Sequence, residues 1–403
     1  MKQDFSKRVV ILAVLSRLLC IAIGIVSHNA LRLDHQRNTI VFGSEPRPEW
    51  LYNIASPFVQ WDGIHFLNIA ARGYDSVLEH AFFPGLPFTM RGLSALWPWR
   101  MDNPTLTLAV SGILFVQLSF VIAALGLYHL SVHILAGPHA ALKATLFYIF
   151  ASSNIFMSAV YTESPFSALT FWGIYMLHVR KNLGMATLLF SLSGLFRSNG
   201  ILAIGYVLHQ ALATRRHAFQ FIISALAIYA PYYVYSKWSY NMYCEESIGG
   251  LRQEWCQTHS SVYAYIQRAF WDVGPFMYWK LDKWPYFALM MPTLLVSLTS
   301  VYHWFCDKQK LFTKGVSMKI FKSVIQSREI PYYTQMGVLT IFTVFVANCQ
   351  ILTRILSSCP LYFWTLERIH SGRKTFFSRA ILFAHLAYYL VGPLVFCNGS
   401  NWT

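Results

Sequence analysis

One carboxylate stands out as a candidate for chemistry. Asp62 sits in Pro57-Phe58-Val59-Gln60-Trp61-Asp62-Gly63-Ile64-His65-Phe66-Leu67, between an indole and a glycine in an otherwise apolar run. If residues 64 to 71 form an interfacial helix, Asp62 can cap its N-terminus by accepting the unpaired N–H groups of the first turn. Held against a membrane surface, the same carboxylate can act as a general base, because partial desolvation raises its proton affinity toward what catalysis needs. The two roles are compatible. His65 lies one turn beyond Asp62, and His80 follows in His80-Ala81-Phe82-Phe83-Pro84-Gly85-Leu86-Pro87. Each is read either as an ordinary hydrogen-bonded histidine or as a companion of Asp62.

Further polar groups fall where apolar runs should be clean: Glu163 in Tyr161-Thr162-Glu163-Ser164-Pro165, Arg197 in Arg197-Ser198-Asn199-Gly200, and Arg354 in Gln350-Ile351-Leu352-Thr353-Arg354. Ionisable groups at membrane depth usually pair with one another or serve a substrate. Glu163 can equally mark a helix start capped by Thr162 and Ser164, Arg197 can form a structural ion pair with Glu163, and Arg354 can snorkel from a helix end to the interface. A cationic pocket of this kind would also suit a lipid-linked phosphate, since a guanidinium binds phosphate oxygens in bidentate fashion.

The elements that must position these groups are membrane spans. Of the 403 residues, 55% are apolar and 17% aromatic but only 12% charged, about half the charge of an average soluble domain. Runs of eighteen or more residues nearly free of charge exclude a soluble enzyme, a disordered chain and a small disulfide-stapled secreted domain. The net charge of +15 does not point to nucleic acid, because the basic residues lie mostly between apolar spans rather than on a soluble face. The expected fold is therefore an all-α polytopic membrane protein. A first span over about residues 8 to 28 follows Lys2, Lys7 and Arg8 and reads as an uncleaved anchor. Further spans are expected near 105–134, 140–160, 163–179, 184–213, 217–237, 284–305, 334–356 and 377–397.

Charge sets the orientation. Seven acids (Asp34, Glu45, Glu49, Asp62, Asp75, Glu79, Asp102) fall in residues 29 to 104 and five (Glu245, Glu246, Glu254, Asp272, Asp282) in 239 to 283, twelve of the 17 in the chain. Residues 306 to 333 carry Lys308, Lys310, Lys314, Lys319, Lys322 and Arg328, and basic pairs occur at Arg180-Lys181 and Arg215-Arg216. The basic segments read as cytosolic, which makes 29–104 and 239–283 large lumenal loops and 306–333 a basic cytosolic loop. For Arg180 and Arg215 to share a side, residues 183 to 213 must enter and return as two short helices hinged at Arg197 to Gly200. Such a hinge is tolerated at membrane depth only when buried in protein or lining a wet cavity. Trp97-Pro98-Trp99-Arg100 reads as an interfacial anchor. The sequons at Asn398 and Asn401 are usable only on a lumenal tail, which requires Arg368 to Arg379 to be cytosolic and 357 to 367 to cross or dip as a short hairpin. Of the seven cysteines, none has zinc spacing. Cys244 and Cys256 share the second acidic loop, and a disulfide between them is expected in preference to two free thiols.

Taken in order, these motifs resemble a known family. Trp61-Asp62-Gly63 with His65-Phe66-Leu67, then Gly73-Tyr74, Ala81-Phe82-Phe83-Pro84-Gly85, Tyr161-Thr162-Glu163-Ser164, Arg197-Ser198-Asn199-Gly200, Trp255-Cys256, Tyr265-Ile266-Gln267, Trp271-Asp272-Val273-Gly274, Trp284-Pro285-Tyr286-Phe287, Gln350 to Arg354 and Trp402-Thr403 are similar to the PIG-V family, the second mannosyltransferases of glycosylphosphatidylinositol (GPI) assembly. Where the family often carries Asn in Pro-Asn-Phe, this chain has Tyr286. The resemblance implies a GT-C-type glycosyltransferase fold in the endoplasmic reticulum membrane, with a long first lumenal loop carrying interfacial helices and an active site facing the lumen. It implies dolichyl-phosphate-mannose as donor, a mannosyl-glucosaminyl-phosphatidylinositol acceptor, and α-1,6 transfer of the second mannose with inversion.

By match to the Trp-Asp-Gly motif, Asp62 would be the base. Arg197 and Arg354 would bind the leaving phosphate, and Trp61, Gly63, His65, His80, Phe83, Glu163 and Asn199 would line the substrate site. Aromatic faces such as Trp61, Phe82 and Phe83 could stack on sugar rings, or instead form loop core or membrane anchor. No cofactor and no metal are expected: a dolichyl monophosphate lacks the diphosphate that metal-dependent transferases clamp, and no Asp-x-Asp motif occurs. The partners expected are the two lipid-linked substrates, membrane lipid and a small accessory membrane subunit, with no nucleic acid. A secondary transporter, which also uses broken helices, and a non-catalytic scaffold of GPI assembly are the competing readings.

Overall fold

The computed structural model describes residues 4–31, 42–43, 46–96, 102–135, 137–214, 218–245, 253–312, 327–400 and 402. Those residues are helices joined by turns, with no strand among them. The chain opens with α1 (Ser6–Leu31), and then three short helices, α2 (Glu49–Ala55), α3 (Asp62–Arg72) and α4 (Gly85–Ala95), lie against the outer half of α5 (Pro104–Ile134). Next come α6 (Pro138–Ile149), α7 (Glu163–His178), α8 (Leu183–Gly194), α9 (Ala203–Thr214) and the longer α10 (Ala218–Cys244). The remainder is α11 (Val262–Trp271), α12 (Trp284–Phe312), α13 (Ile330–Phe345), the single turn α14 (Leu352–Ile355), α15 (Pro360–Ser371) and α16 (Phe376–Phe396).

Among the described residues, four helical stretches are long and apolar enough to cross a membrane: α1, α5, residues Leu281–Gln309 and α16. Of the rest, α10 is long at 27 residues but less apolar, and α6, α8 and α15 are short for identifiable reasons. Pro138 and Pro360 start α6 and α15, Asn182 caps α8 by accepting the Met185 N–H (2.9 Å), and each of these helices runs for only 12 residues. At 1.5 Å per residue that is about 18 Å, little more than half of a ~30 Å hydrocarbon core. The short helices pack inside the ring of long ones, α7 between α5 and α8, and α15 against α6 and α12. One continuous apolar core runs through them, from Val9 and Phe120 to Tyr148, Phe171 and Phe363.

This arrangement departs from the expected spans and loops in four places. The run 140–160 is not one helix: α6 ends at Ile149, and residues 150 to 162 form an irregular strap with one 3-10 turn, because no regular ladder continues past the Phe150 C-cap. The run 334–356 likewise breaks at Phe345 into turns and α14. Residues 357 to 367 are not a hairpin. Pro360 fixes the first turn of α15, whose far end meets α12 through a bidentate Arg368–Asp307 pair at 2.7 and 2.9 Å. Residues 239 to 244 continue α10 rather than opening a loop. The Arg215-Arg216 pair, the Trp97 to Arg100 anchor, Asp34, Glu45, Glu246, Lys314, Lys319, Lys322 and the Asn401 sequon lie outside the described residues.

The expected hinge is built by close backbone approach. α8 ends at Gly194, a 3-10 turn spans Ser198–Leu202, and a Cβ on Gly200 would stand 2.9 Å from the Gly194 Cα. The hinge is tied to the first loop by the Gly85 N–H, which donates to Leu195 O at 2.8 Å. A Cβ on Gly85 would meet that same carbonyl at 2.7 Å, with backbone on both sides of the contact and no flexible group to yield. Gly85→Ala is therefore expected to separate α4 from the hinge and destabilise the fold by about 1–3 kcal/mol, the usual range for overpacking. A lowered thermal midpoint of the purified protein in detergent would show it, whereas an unchanged midpoint would mean that the two backbones are not held together.

Candidate active site

Three breaks in the helical ladder meet at one place. The strap after α6 delivers Tyr161, Thr162 and Glu163, the α8–α9 hinge delivers Arg197, and the turns after α13 deliver Arg354. The first loop brings Asp62 to the same point at the start of α3. Asp62 Oδ2 accepts from Arg354 Nη2 at 2.8 Å, Arg354 Nε donates to Glu163 Oε1 at 2.8 Å, and Arg197 Nη1 donates to the same Oε1 at 2.7 Å. Two carboxylates and two guanidiniums thus alternate along a ladder, Asp62–Arg354–Glu163–Arg197, whose charges cancel.

Each rung has a distinct environment. The Glu163 side chain is fully buried, and its Oε2 has no hydrogen-bond partner among the described residues. Arg354 is packed over the rings of Phe156 and Tyr161, with its guanidinium carbon 4.7 and 4.9 Å from their centroids. Asp62 is the most open of the four, its side chain 32% exposed, while those of Arg354 and Arg197 are each 16% exposed. Asp62 Oδ1 and Arg197 Nε and Nη2 make no hydrogen bond among the described residues. The ladder therefore presents an unengaged carboxylate oxygen at one end and unengaged guanidinium donors at the other, an arrangement that can accept a proton at one end and meet an anion at the other.

Asp62 is not an N-cap. Trp61 occupies that position and makes no side-chain cap, while the Asp62 carboxylate turns toward Arg354. The Asp62 N–H is instead met by the Tyr161 hydroxyl at 3.1 Å, and the Val160 N–H donates to Phe58 O at 3.0 Å, so the strap holds the turn before α3 from two sides. Trp61 has φ 53° and ψ −117°, a sparsely populated conformation for a bulky residue that persists only when its surroundings over-determine it. Gly63 lies beside the strap, where a Cβ would make ordinary contact with Val160 O at 3.4 Å.

The other expected site residues separate into neighbours and supports. His65 stacks on Phe82 with ring centroids 4.8 Å apart, and burial pushes its imidazole below the usual range against the pull of the Asp62 carboxylate. His80 is fully buried among Tyr74, Tyr235, Trp238 and Tyr243, and that burial pushes it down to about 4. It is thus a neutral member of an aromatic cluster rather than a companion of Asp62. Phe83 is 3% exposed and Phe82 7%, with Phe83 wedged against Tyr235 and Tyr263, so neither presents a free face to a sugar; they form loop core. Asn199 shares the Arg197 turn but its side chain bonds to nothing among the described residues. Cys244 and Cys256 are bridged, fixing the end of α10 to the segment before α11. No group of three or more His, Cys, Asp or Glu gathers as a metal set among the described residues. Tyr161 and Phe156, which frame the ladder, were not singled out from sequence as site residues; their signal was the run of polar and aromatic residues between 150 and 164 in an otherwise apolar stretch.

An open apolar groove of about 840 Å³ leads to the ladder. It runs between α4, α5, α7 and α8, with Phe88, Phe115, Trp172, Met176 and Leu189 along its walls. Its lining includes Phe196, next to Arg197, and Pro165, two residues from Glu163.

Over residues 6–403 the chain matches the family described as mannosyltransferase (PIG-V). The chain belongs to that family. Membership makes it a mannosyltransferase, and the transporter and scaffold readings fall away. Among its relatives are GPI mannosyltransferase 2 of Cryptococcus neoformans, 27% identical over 345 residues and 80% of both chains, and GPI alpha-1,6-mannosyltransferase 2 of Rattus norvegicus, 26% identical over 430 residues, 85% of this chain and 87% of the relative. GPI mannosyltransferase 2 of Drosophila melanogaster is 26% identical over 471 residues, 99% of this chain and all of the relative. Of solved structures, the oligosaccharyltransferase of Archaeoglobus fulgidus in the apo form aligns with a TM-score of 0.47 at 10% identity, covering 97% of this chain and 56% of that longer one.

The buried middle of the ladder generates a stability prediction. Removing one partner of a buried ion pair typically costs about 3–5 kcal/mol, because the remaining charge is left uncompensated. Glu163→Ala strips both arginines of their shared acceptor and is expected to lower stability by about that amount. Glu163→Gln, which keeps one acceptor oxygen, should fall between. Thermal unfolding in detergent tests the order, and equal midpoints for all three proteins would show that the ladder carries no stability.

Proposed function

We propose that the chain is a GPI mannosyltransferase 2 that adds the second mannose, in α-1,6 linkage, from dolichyl-phosphate-mannose to a mannosyl-glucosaminyl-phosphatidylinositol acceptor. The observation that carries this reading is the ladder itself: a free carboxylate oxygen on Asp62 and free guanidinium donors on Arg197, fixed at opposite ends of one charge-neutral unit. In an inverting transfer the acceptor hydroxyl attacks C1 of mannose from the face opposite the departing phosphate. Asp62 Oδ1 takes the proton of that hydroxyl as the new C1–O bond forms. The C1–O bond to phosphate breaks with its electron pair going to oxygen, and dolichyl phosphate leaves with its charge met by Arg197 and Arg354. Stabilising charge that grows in the transition state is what accelerates the step.

The site residues divide accordingly. Trp61 and His65 flank the base, and Trp61 is the aromatic beside Asp62 that keeps a partly open surface. Glu163 orients both arginines, and Asn199 lies on the donor side of the hinge. Gly63 lies between the base and the strap, while His80 and Phe83 act indirectly by packing the first loop onto α10. The scheme calls for no cofactor, because a monophosphate leaving group can be met by two guanidiniums. The basic ends of the helices, with Lys7, Arg8, Arg180, Lys308 and Arg368, are assigned to the cytosol. The ladder then faces the lumen of the endoplasmic reticulum within a GT-C-type fold, with residues 29–104 and 239–283 selecting the acceptor and room at the membrane face for a small accessory subunit.

Transfer of radiolabelled mannose from dolichyl-phosphate-mannose to a one-mannose GPI intermediate, in microsomes lacking their own second-mannose activity, tests the base. Wild type is expected to give a two-mannose product and Asp62→Asn, at matched expression, about 10²–10⁴-fold less. Equal product from both would remove Asp62 as the base, and product from neither would overturn the assignment.

The apolar groove beside Arg197 is where the polyprenyl chain of the donor fits, since its phosphate would then meet the free Arg197 donors. Leu189→Trp, which fills the groove, is expected to raise KM for the full-length donor by tenfold or more while leaving a short-chain isoprenyl donor within about threefold. An equal effect on both donors would place the tail elsewhere.

A further inference from the structure

Arg17 sits eleven residues into α1, about 16 Å along the helix, and is 3% exposed. Among the described residues no carboxylate pairs with it. Its guanidinium instead serves the strap. Nη1 donates to Asn154 O at 3.1 Å and Ser158 Oγ at 2.7 Å, and Nη2 donates to Ile149 O at 3.3 Å, to Ser16 Oγ at 3.0 Å and to the Asn154 side-chain oxygen. The group also lies flat over Phe120, 3.7 Å from the ring centroid. Ile149 is the last residue of α6, so the cation stands where the partial negative charge of that helix end concentrates.

A buried cation at this depth is costly, and such residues usually mark function. Here its position explains the cost. The chain between α6 and α7 leaves helical geometry inside the apolar core, and every freed carbonyl there needs a donor. Arg17 supplies those for Ile149 and Asn154, Ser16 adds a second to Ile149 at 2.7 Å, Gln117 meets Ser158 O at 2.8 Å and Ser164 meets Met157 O at 2.9 Å. The strap so fixed carries Phe156 and Tyr161 against Arg354, the Tyr161 hydroxyl against the Asp62 N–H, and Glu163 between the two arginines. Arg17 touches none of the four ladder residues, yet each of them is held by the strap that it anchors.

We infer that Arg17 is a positioning residue for mannosyl transfer, acting through the 150–162 strap on the ladder. The inference rests on the reading of the ladder as the catalytic centre. A guanidinium is required because one planar group must serve acceptors in several directions at once. Lysine can keep the charge but not the fork, and methionine keeps only the bulk. Misplacement of catalytic groups lowers turnover more than substrate binding, which separates a positioning role from loss of a binding contact.

The test compares full-length wild type, Arg17→Lys and Arg17→Met in nanodiscs, reading kcat, KM for dolichyl-phosphate-mannose, and backbone hydrogen exchange over residues 150–162. The expected result is kcat lowered at least tenfold in Arg17→Met and less in Arg17→Lys, KM within threefold, and faster exchange in the strap with α5 and α16 unchanged. A kcat within twofold of wild type in Arg17→Met, or slow exchange in its strap, would overturn the inference. So would a loss of kcat that vanishes at low temperature along with the loss of fold, since that is a stability effect alone. If Arg17→Met does not fold, Ser158→Ala and Asn154→Ala decide. They remove one strap acceptor each, and kcat unchanged in both would overturn the inference, while a fall in both that Arg17→Lys does not add to would support it. Wild type that transfers no mannose while its strap still loosens in Arg17→Met would sink the functional reading and leave the anchor standing.

Discussion

The structure depends on one constraint: backbone that leaves its helix inside a membrane must find a partner within the protein for every freed polar group. The chain breaks its helices at this depth in three places, after Ile149, after Gly194 and after Phe345. Each break exposes carbonyls and amides, and each is met by groups from a distant part of the sequence: the Arg17 side chain after Ile149, the Gly85 backbone N–H after Gly194, and the Gly274 and Phe276 backbone N–H groups with the Trp279 indole around Phe345. The charged residues that cluster there are part of the same solution. Glu163 and the two arginines compensate one another where a single ion would be intolerable, and the sum of the four ladder charges is zero.

That constraint also accounts for where the charged residues lie. Helices of 12 residues are too short to cross a ~30 Å hydrocarbon core, so the segments that follow α6 and α8 are irregular backbone packed among helices. The groove between α4, α5, α7 and α8 is lined by Phe196, next to Arg197. The aromatic cluster around His80, the Phe83 wedge and the Cys244–Cys256 bridge then form a lid-like platform whose packing is internal, with its rings turned toward one another.

Much of this was legible in the residues. Asp62, Glu163 and Arg197 announced themselves as charges in apolar surroundings, and the paired Arg180 and Arg215 clusters called for a break within 183–213, which lies between α8 and α9. The positions of the breaks were not read from hydropathy, because 140–160 and 334–356 are apolar on average and a window average cannot distinguish a helix from an irregular strap buried in protein; the local signals were Ser152-Ser153-Asn154 and Asn348 to Gln350. Nor could local pattern say that Phe82 and Phe83 face inward, which depends on α10 arriving from 150 residues away. Arg354 was ambiguous because a snorkelling arginine and a paired one share the same local sequence. Arg17 was overlooked for the opposite reason: one charge among the apolar residues of α1 barely moves a window average, although an isolated ion in a span is itself a signal.

The Arg17 contacts join residues 137 and 141 positions apart in the chain. At a synthesis rate of roughly 5–20 residues per second, roughly 7–27 s pass between the making of Arg17 and the making of Asn154. For that interval the guanidinium of α1 has its neighbour Ser16 but none of its strap partners. Biogenesis of this chain therefore has a waiting stage, in which its first helix must be sheltered by water, by lipid phosphate or by an insertion factor until the sixth helix has emerged.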